Sequence, residues 1–564
     1  MRVFRKFIVT ILISLFSFSS LFSQNYTSPL QIPISLSSNF GELRNNHFHS
    51  GIDYRTQQSV NKPVYSIGDG YVSRIKISPG GYGLALYIDH PAGHTSVYGH
   101  LNSYSKKIQD YIVEKQYEKE SYRIDYYLEP NEIPIKQGEQ IALSGNTGGS
   151  GGPRLHFEIR DQKTQDPLNV FEFLKGTFHD TRRPDIRGIA FYPQPGKGVV
   201  NGRTNPLRFN VGKTKSGVPI RINAVNAWGV IGVGVKAYDL MNRTSNIYGV
   251  KHIKLFVDEN LVFSSTMNRF SFDKTRMLNS FIDFEDWRNR KSFFMKSFVE
   301  PGNTLPLYDK LYDGYITINK EKTYHMKYEL IDFFGNKTTY SFNVIGKKQA
   351  IPEPVKCTNF MAWNISNWFF DNDFSLSIPL GNLYSDFCYR HSKTASAKYL
   401  SDIHRVNNTP VPLHKNGKIW IKLKTENLPD TTKLGVIKIG RNGNERWLGG
   451  TYRNGGVEVP INELGERYAV DIDTVPPVII ANAPAQWVSK RRISIKLTDS
   501  KSGISDFRGE INGKFILFKH DMKSDYYTYY FDNSRLSRGQ KHHFTFAAVD
   551  GAGNKSEYKF DFFY

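Results

Sequence analysis

The sequence of 564 residues has very little cysteine. It contains only Cys357 and Cys388, which excludes a disulfide scaffold and a thiolate-rich zinc-finger array. The two residues could pair in an oxidising compartment, or they could be two buried thiols. The sequence alone leaves both alternatives open.

Long apolar runs are also missing. One short apolar stretch, Phe7 to Phe18, follows a basic start, and about a dozen residues are too few to span a bilayer. We therefore expect a secretory signal peptide over residues 1–23, with an uncleaved membrane anchor as the alternative. The mature protein is predicted to carry no transmembrane segment and to be exported, either periplasmic or at the cell surface or extracellular.

Acidic residues are fewer than basic ones. The chain has 53 Asp and Glu against 74 Lys and Arg, which gives a formal net charge of +21. Export makes a nucleic acid an improbable partner, so we predict no nucleic-acid binding. An anionic cell-wall polymer or a membrane face fits the charge better, although a solvated basic surface explains it equally.

The length and the composition predict several β-rich domains. Aromatic residues make up 14% of the chain, glycine is abundant, and short alternating segments are separated by glycine-containing turns. We predict a mostly β fold with these parts: residues 29–178 as a first domain with a helical insertion at about 105–134, 179–198 as a linker, 199–348 as a β-sandwich, 352–473 as a β-rich domain of uncertain type, and 474–564 as a C-terminal β-sandwich.

An internal repeat supports the two β-sandwiches. The segment Asp332 to Phe342 matches Asp550 to Phe560 as D-x-x-G-N-K-x-x-Y-x-F, in which a Gly-Asn turn leads into an alternating strand. Both segments resemble the ends of bacterial immunoglobulin-like domains of secreted proteins, which implies spacers or adhesion modules. The acidic turns could bind calcium, but turn geometry alone also explains them.

The first domain holds the residues that suggest chemistry. His49 and Asp53 lie four apart, so they share one face if the segment is extended, and Gly51 between them allows a close approach. In the segment Leu155 to Ile159, the side chain of His156 points away from the apolar face. Two imidazoles and one carboxylate with an open fourth position are typical of a catalytic zinc site.

The order of several short motifs resembles the lysostaphin-type (LytM-like) peptidoglycan metalloendopeptidases. The resemblance runs from about Phe40 to Leu174. It rests on these segments: Gly41 to Arg44, His49 to Asp53, Pro63 to Gly70, Tyr98 to Leu101, Lys136 to Gly138, Gly145 to Gly148, Leu155 to Glu158 and Asp166 to Leu168.

This resemblance implies an antiparallel β peptidase domain whose zinc ligands are His49, Asp53 and His156. It also implies that His100 is a catalytic residue outside the ligand set. The implied substrate is a stem or crosslink peptide of bacterial peptidoglycan, hydrolysed by a zinc-activated water.

One position departs from the family pattern. Where the family has the first His of a His-x-His motif, this chain has Arg154, and arginine cannot act as a general base at neutral pH. Arg154 could instead stabilise an oxyanion or clamp a carboxylate, so it is a second candidate catalytic residue. The spare histidines His47, His90 and His94 are predicted to lie on the surface or behind the ligands.

Three functions are consistent with these observations. The first is a secreted zinc metalloendopeptidase acting on peptidoglycan. The second is a catalytically weakened or inactive cell-wall binding or regulatory protein, favoured by Arg154. The third is an adhesin whose C-terminal β-domains bind cell-surface or hydrolase partners.

Overall fold

The computed structural model describes residues 25–309, 313–354, 356–425 and 430–564. The expected signal peptide, residues 1–23, lies outside these ranges. In the described part of the chain, no helix is long and apolar enough to cross a membrane. The molecule is mostly β, with 48% strand and 7% helix, as the composition predicts.

The N-terminal domain is built on two antiparallel sheets. The larger sheet has the strand order β1-β2-β11-β6-β5-β4-β8, with β12 beside β11 and β9 beside β4, and the smaller has the order β3-β10-β7. Its elements are β1 (Leu36–Ser38), β2 (Ile52–Arg55), β3 (Pro63–Tyr65), β4 (Gly70–Ile77), β5 (Leu84–His90), β6 (His94–Leu101), β7 (Ser103–Tyr104), α1 (Lys106–Glu118), β8 (Ile124–Tyr127), β9 (Pro134–Ile135), β10 (Gln140–Leu143), β11 (Arg154–Asp161), β12 (Pro167–Leu168) and a 3₁₀ turn (Val170–Glu172).

The insertion begins with the predicted helix. In α1, Ile108 and Ile112 are buried one turn apart, so the helix packs its apolar stripe on the domain. The second half of the insertion belongs to the main sheet, because β8 pairs with β4 and extends that sheet.

The second domain is a ten-stranded sheet with the path β14-β13-β15-β22-β21-β17-β18; β16, β19 and β20 pair with β15. Its elements are β13 (Asp185–Val200), β14 (Leu207–Asn210), β15 (Val225–Leu240), β16 (Ile247–Tyr248), β17 (His252–Val257), β18 (Asn260–Thr266), a 3₁₀ turn (Thr275–Met277), α2 (Leu278–Phe281), α3 (Phe284–Arg290), β19 (Met295–Lys296), β20 (Ile316–Ile318), β21 (Thr323–Ile331) and β22 (Lys337–Gly346).

The predicted linker over 179–198 is wrong for most of its length. Residues from Asp185 onward form β13, which pairs with both β14 and β15. The prolines and glycines of this segment lie largely where the register shifts, between Pro193 and Gly198. A bulge of this kind tolerates proline because the ladder hydrogen bond is already interrupted there.

The first two domains share one hydrophobic core. Buried side chains from Leu30 to Val344 form a single contiguous cluster. At the junction, the rings of Phe40 and Phe270 stack with centroids 5.5 Å apart. Because the buried cluster is apolar and continuous, the first domain and the second domain form one packed unit.

The third domain has its own core and one disulfide. Cys357 and Cys388 are bonded, with Cα atoms 5.6 Å apart, which decides between the two alternatives that the sequence left open. The elements are β23 (Phe360–Met361), β24 (Asn367–Phe370), β25 (Phe374–Ile378), β26 (Phe387–Cys388), β27 (His391–Thr394), β28 (Ile403–Lys422), a 3₁₀ turn (Thr431–Lys433), β29 (Leu434–Ile439), β30 (Glu445–Gly449), β31 (Thr451–Arg453) and β32 (Gly456–Ile472).

The C-terminal domain has two sheets over one core, with the orders β33-β34-β37 and β36-β35-β38-β39. Its elements are β33 (Val478–Ala481), a 3₁₀ turn (Pro484–Gln486), β34 (Arg492–Thr498), β35 (Ile504–Ile511), β36 (Lys514–Phe515), β37 (Tyr526–Tyr530), β38 (Lys541–Asp550) and β39 (Lys555–Phe563).

This last domain folds back onto the first. The guanidinium of Arg535 lies 3.7 Å from the ring centroid of Tyr117 on α1 and 2.6 Å from the carboxylate of Glu114. Nearby, Asp521 Oδ2 accepts a hydrogen bond of 2.8 Å from the backbone N–H of Gly148. The first and last domains are therefore in contact, although they are far apart in sequence.

Candidate metal centre

Three side chains on neighbouring segments converge in the main sheet of the first domain. Asp53 on β2 and His156 on β11 are direct cross-strand partners, and His49 lies just before β2. The distances are 2.9 Å from His156 Nδ1 to Asp53 Oδ1, 3.1 Å from His49 Nε2 to His156 Nδ1, and 3.4 Å from His49 Nε2 to Asp53 Oδ1. All three residues are buried.

Gly51 makes this convergence sterically possible. A Cβ atom at this position would lie 2.1 Å from the carbonyl oxygen of Phe157 on β11. The close approach that the sequence suggested is therefore made by the backbone of the strand that carries His156.

Hydrogen bonds on the far side of each imidazole determine which ring nitrogen faces the centre. His49 Nδ1 lies 2.7 Å from the carbonyl oxygen of Asn39, so it carries a proton and donates it there. His156 Nε2 lies 2.7 Å from Glu158 Oε1 and donates in the same way. Without a metal, burial opposes a charge on His156, but its hydrogen bonds to Asp53 and Glu158 raise the pKa of the ring to about 9, so Nδ1 also carries a proton at neutral pH. A bound metal would displace that proton, and the lone pairs of His49 Nε2 and His156 Nδ1 would then point at each other and at Asp53 Oδ1.

Once the proton of His156 Nδ1 is displaced, three converging lone pairs fit a metal ion. Two nitrogens and one oxygen are a donor set that zinc accepts, at bond lengths of about 2.0 to 2.2 Å. A tetrahedron with such bonds has edges of about 3.3 Å, close to the three observed separations. His49, Asp53 and His156 therefore fit zinc, and each histidine has the supporting hydrogen bond that zinc ligands usually have.

Asp53 is ionised despite its complete burial. Burial by itself raises the pKa of a carboxyl, but His49 and His156 beside it hold the pKa of Asp53 well below its usual value. Two arginines also flank its second oxygen, with Arg154 Nε at 3.4 Å and Arg44 Nη2 at 3.8 Å. The centre is thus an anionic oxygen held between cationic side chains.

His100 and Arg154, the two candidate catalytic residues, contact each other. His100 Nδ1 lies 2.8 Å from the carbonyl oxygen of Thr147 and donates to it. Its Nε2 therefore accepts, and Arg154 Nη2 donates to it at 3.1 Å. Burial, followed by the nearby charges of His156 and Arg154, lowers the pKa of His100 to about 3. The ring is uncharged at neutral pH and its acceptor atom is engaged.

The sequence analysis did not assign a role to Glu158, which is fully buried behind His156. Its carboxylate accepts hydrogen bonds of 2.6 Å from Ser50 Oγ, Tyr82 Oη and Arg160 Nε in addition to the one from His156. Burial opposes ionisation, but the charge of Arg160 and the hydrogen bond from His156 lower the pKa of Glu158. A signal was available, because Glu158 lies two residues after His156 and strand residues so spaced share a face.

The second domain also supports the centre, which the sequence gave no means of predicting. The side chain of Asn39 exchanges two hydrogen bonds with the backbone of Gly249, at 2.8 and 2.9 Å. The carbonyl of the same residue receives the proton of His49 Nδ1. The orientation of the His49 ring therefore depends on Gly249, which lies 210 positions after Asn39.

The three spare histidines are not part of the group of side chains that could hold the metal. His47 contacts the carbonyl of Asn45, His94 contacts Tyr26, and His90 is bonded to the carbonyl of Asp69 and to Ser96. His90 is 2% exposed, so of the two predicted kinds of position it does not take the one on the surface. It is a buried, hydrogen-bonded residue of the β5–β6 hairpin.

Comparison with known proteins places these observations in a family. Residues 47–117 match peptidase family M23, and residues 358–473 match a Zu5-like domain. The chain therefore contains an M23 domain of the LytM type, followed by further β-domains. At the level of this family, the N-terminal domain is a metallopeptidase domain.

Two curated relatives and one solved structure illustrate the similarity. The DD-carboxypeptidase/endopeptidase Mpg of Neisseria meningitidis is 32% identical over 123 residues, 22% of each chain. The peptidoglycan DD-endopeptidase ShyB of Vibrio cholerae is 34% identical over 113 residues, 20% of each chain. A zinc-containing peptidase from Vibrio cholerae matches with 27% identity and a TM-score of 0.19, over 26% of this chain and 38% of that one. Each alignment covers less than two thirds of the relative.

Proposed function

We propose that this protein is an exported zinc metalloendopeptidase that hydrolyses peptide bonds in the stem or crosslink peptides of bacterial peptidoglycan. The observation that carries the proposal is the convergence of His49 Nε2, His156 Nδ1 and Asp53 Oδ1 within 2.9 to 3.4 Å of one another. Hydrogen bonds to Asn39 and Glu158 point these lone pairs inward.

His49, Asp53 and His156 would hold the metal. A zinc ion at such a site supplies Lewis-acid polarisation of a carbonyl and lowers the pKa of a water molecule to about 7. Glu158 keeps His156 in the tautomer that leaves Nδ1 free, and the Asn39 carbonyl does the same for His49 Nε2.

Arg154 and His100 would act on the substrate side. The guanidinium of Arg154 is permanently charged, so it can bind a developing oxyanion or a substrate carboxylate. His100 keeps its proton on Nδ1 and accepts another at Nε2 only when the hydrogen bond from Arg154 is released. Proton transfer in this enzyme would therefore require Arg154 to move.

The substrate class is supported by two observations. The name of one relative states that it is a peptidoglycan DD-endopeptidase. The net charge of +21 favours an anionic wall polymer over a neutral one. The β-domains after the peptidase domain would position it on the wall or on cell-surface partners.

A second candidate function is a cell-wall binding or regulatory protein with weakened or absent catalysis. The contact between Arg154 and His100 favours it, because it occupies the atom that would take up a proton. General acid–base help contributes about 10²- to 10⁴-fold in rate, so its loss would leave little activity.

Digestion of purified peptidoglycan by the mature chain tests the proposal. We expect new amino termini to appear, to disappear when a zinc chelator is added, and to be absent with His49→Ala. Exposed Glu118→Gln is the matched control and should retain activity. An inert natural chain that still binds one zinc would support the regulatory function, and a chain that binds no zinc would contradict the metalloendopeptidase.

A further inference from the structure

A second group of acidic side chains lies away from the peptidase centre, where the first domain meets the second. Asp180 precedes β13, Asp239 lies near the end of β15, and Asp332 follows β21. Each offers a carboxylate oxygen, and these oxygens lie within 4.8 Å of one another. Asp180 is 6% exposed, and Asp239 and Asp332 are each 1% exposed.

Two of these carboxylates are incompletely satisfied. Asp239 Oδ1 and Asp180 Oδ2 are buried and have no hydrogen-bond partner in the described part of the chain. Burial, followed by the charge of Asp332, raises the pKa of Asp239 to about 8. A buried carboxylate oxygen without a partner carries a desolvation cost that a bound cation would remove.

The repeat provides an internal comparison for this site. Asp473, Asp499 and Asp550 form the corresponding group in the C-terminal domain, also within 4.8 Å. Carboxylates of both groups accept hydrogen bonds from backbone N–H groups, in the first group at Asp180 and Asp332 and in the second at all three residues. The groups differ in their other oxygens: in the described part of the chain, the second group has no buried carboxylate oxygen without a partner, whereas the first has two, on Asp180 and Asp239.

Arg182, a cation whose charge acts on Asp239, is engaged elsewhere. Its Nη1 atom donates to the backbone carbonyls of Met241 and Thr244, at 3.2 and 3.1 Å. Its charge lowers the pKa of Asp239, but less than burial and Asp332 raise it. One guanidinium does not balance three carboxylates.

We infer that Asp180, Asp239 and Asp332 form a structural calcium site at the joint between the peptidase domain and the second domain. Calcium takes six to eight oxygen ligands in irregular arrangements and accepts several carboxylates at once. Magnesium prefers to keep its water and usually takes one or two carboxylates, so three buried carboxylates favour calcium. Zinc favours nitrogen and sulfur donors, which this group does not offer.

The position of the site connects it to the peptidase centre. The turn that begins at Asp332 carries Phe333 and Phe334, whose ring centroids lie 5.2 and 5.1 Å from that of Phe171 in the first domain. Phe333 also meets Phe40, at 6.4 Å. Phe40 is adjacent to the residue whose carbonyl orients His49. Calcium at this joint would fix the turn and, through it, the packing beneath the metal ligands.

The test uses the mature chain stripped with a chelator. Calcium is added alone, magnesium is added alone in a parallel arm, and binding is followed by isothermal titration and by thermal unfolding. We expect calcium to bind and to raise the melting temperature by about 5 °C at saturation, and magnesium at the same concentration to have a smaller effect.

Asp239→Asn decides the assignment. In chelator and above a pH of about 8, where Asp239 is ionised, this variant should unfold at a higher temperature than the natural chain because it lacks a buried charge, and it should lose the calcium-induced rise. The control is Asp499→Asn in the second group, which should retain that rise. If Asp239→Asn fails to fold, Asp180→Asn takes its place with the same expected loss.

Three results would overturn the inference. They are a natural chain whose unfolding calcium does not change, an Asp239→Asn variant that keeps the full calcium effect, and an Asp499→Asn variant that loses it. A stronger response to magnesium than to calcium would also exclude calcium as the ion. None of these readouts depends on peptidase activity.

Discussion

Arg154 Nη2 lies 3.1 Å from His100 Nε2, so a permanently charged guanidinium donates a hydrogen bond to the lone pair of the candidate catalytic imidazole. The same arginine places its Nε atom 3.4 Å from Asp53 Oδ2. One side chain therefore bridges the proton-handling residue and a metal ligand. This arrangement, rather than the ligand set, distinguishes the chain from the family pattern.

Replacing Arg154 with histidine should increase peptidase activity. Arg154→His releases His100 Nε2 and adds a second imidazole on the same face of β11, so we expect a gain of about 10²-fold. The measurement is the chelator-sensitive release of amino groups from purified peptidoglycan. Arg44→His is the matched control, because Arg44 also flanks Asp53 but is not bonded to His100. Equal rates for Arg154→His and the natural chain would show that the arginine does not limit catalysis.

Glu158→Gln should weaken zinc binding by about 10- to 100-fold. The carboxylate accepts the proton of His156 Nε2 at 2.7 Å, and a neutral amide holds that ring less firmly. Competition with a chromophoric chelator measures the affinity. Tyr82→Phe removes only one of the donors to Glu158 and should have a smaller effect. An unchanged zinc affinity in Glu158→Gln would remove Glu158 from the metal site.

Asn39→Ala should reduce zinc affinity through the second domain. The variant loses both hydrogen bonds to Gly249, and the loop carrying the carbonyl that orients His49 is no longer fixed. Asn246→Ala is the control, because Asn246 also crosses the junction, to the carbonyls of Leu36 and Ser37, without touching His49. We expect both variants to unfold at a lower temperature and only Asn39→Ala to bind zinc more weakly. Equal zinc affinities would separate the domain junction from the metal centre.

Lys523→Ala should release the loop that carries Thr147. The ammonium of Lys523 lies 2.7 Å from the carbonyl of Gly148, and hydrogen bonds to charged groups contribute about 1.5 to 3 kcal/mol. Hydrogen exchange at the amide of Gly148, which is bonded to Asp521, should become faster. Lys541→Ala removes an exposed lysine of the same domain and should leave that amide unchanged. Unaltered protection of Gly148 in Lys523→Ala would show that this contact does not hold the loop.

Local patterns predicted the elements of the first domain well. Alternation in β11 placed Leu155 and Phe157 differently from His156, and the structure has the apolar pair in the core and His156 at the centre. The predicted helical insertion contains α1, which buries Ile108 and Ile112. The linker prediction failed because proline and glycine indicate a break locally, whereas the long strand β13 accommodates them in a bulge.

The sequence by itself determined the chemistry that is available: two imidazoles, one aspartate, and an arginine where the family has histidine. It did so because strand periodicity and residue type are local properties. Only the tertiary structure decided that Arg154 engages His100, that Asn39 ties His49 to Gly249, and that Asp180, Asp239 and Asp332 meet. These contacts join residues separated by tens to hundreds of positions, and the packing of whole domains sets their distances.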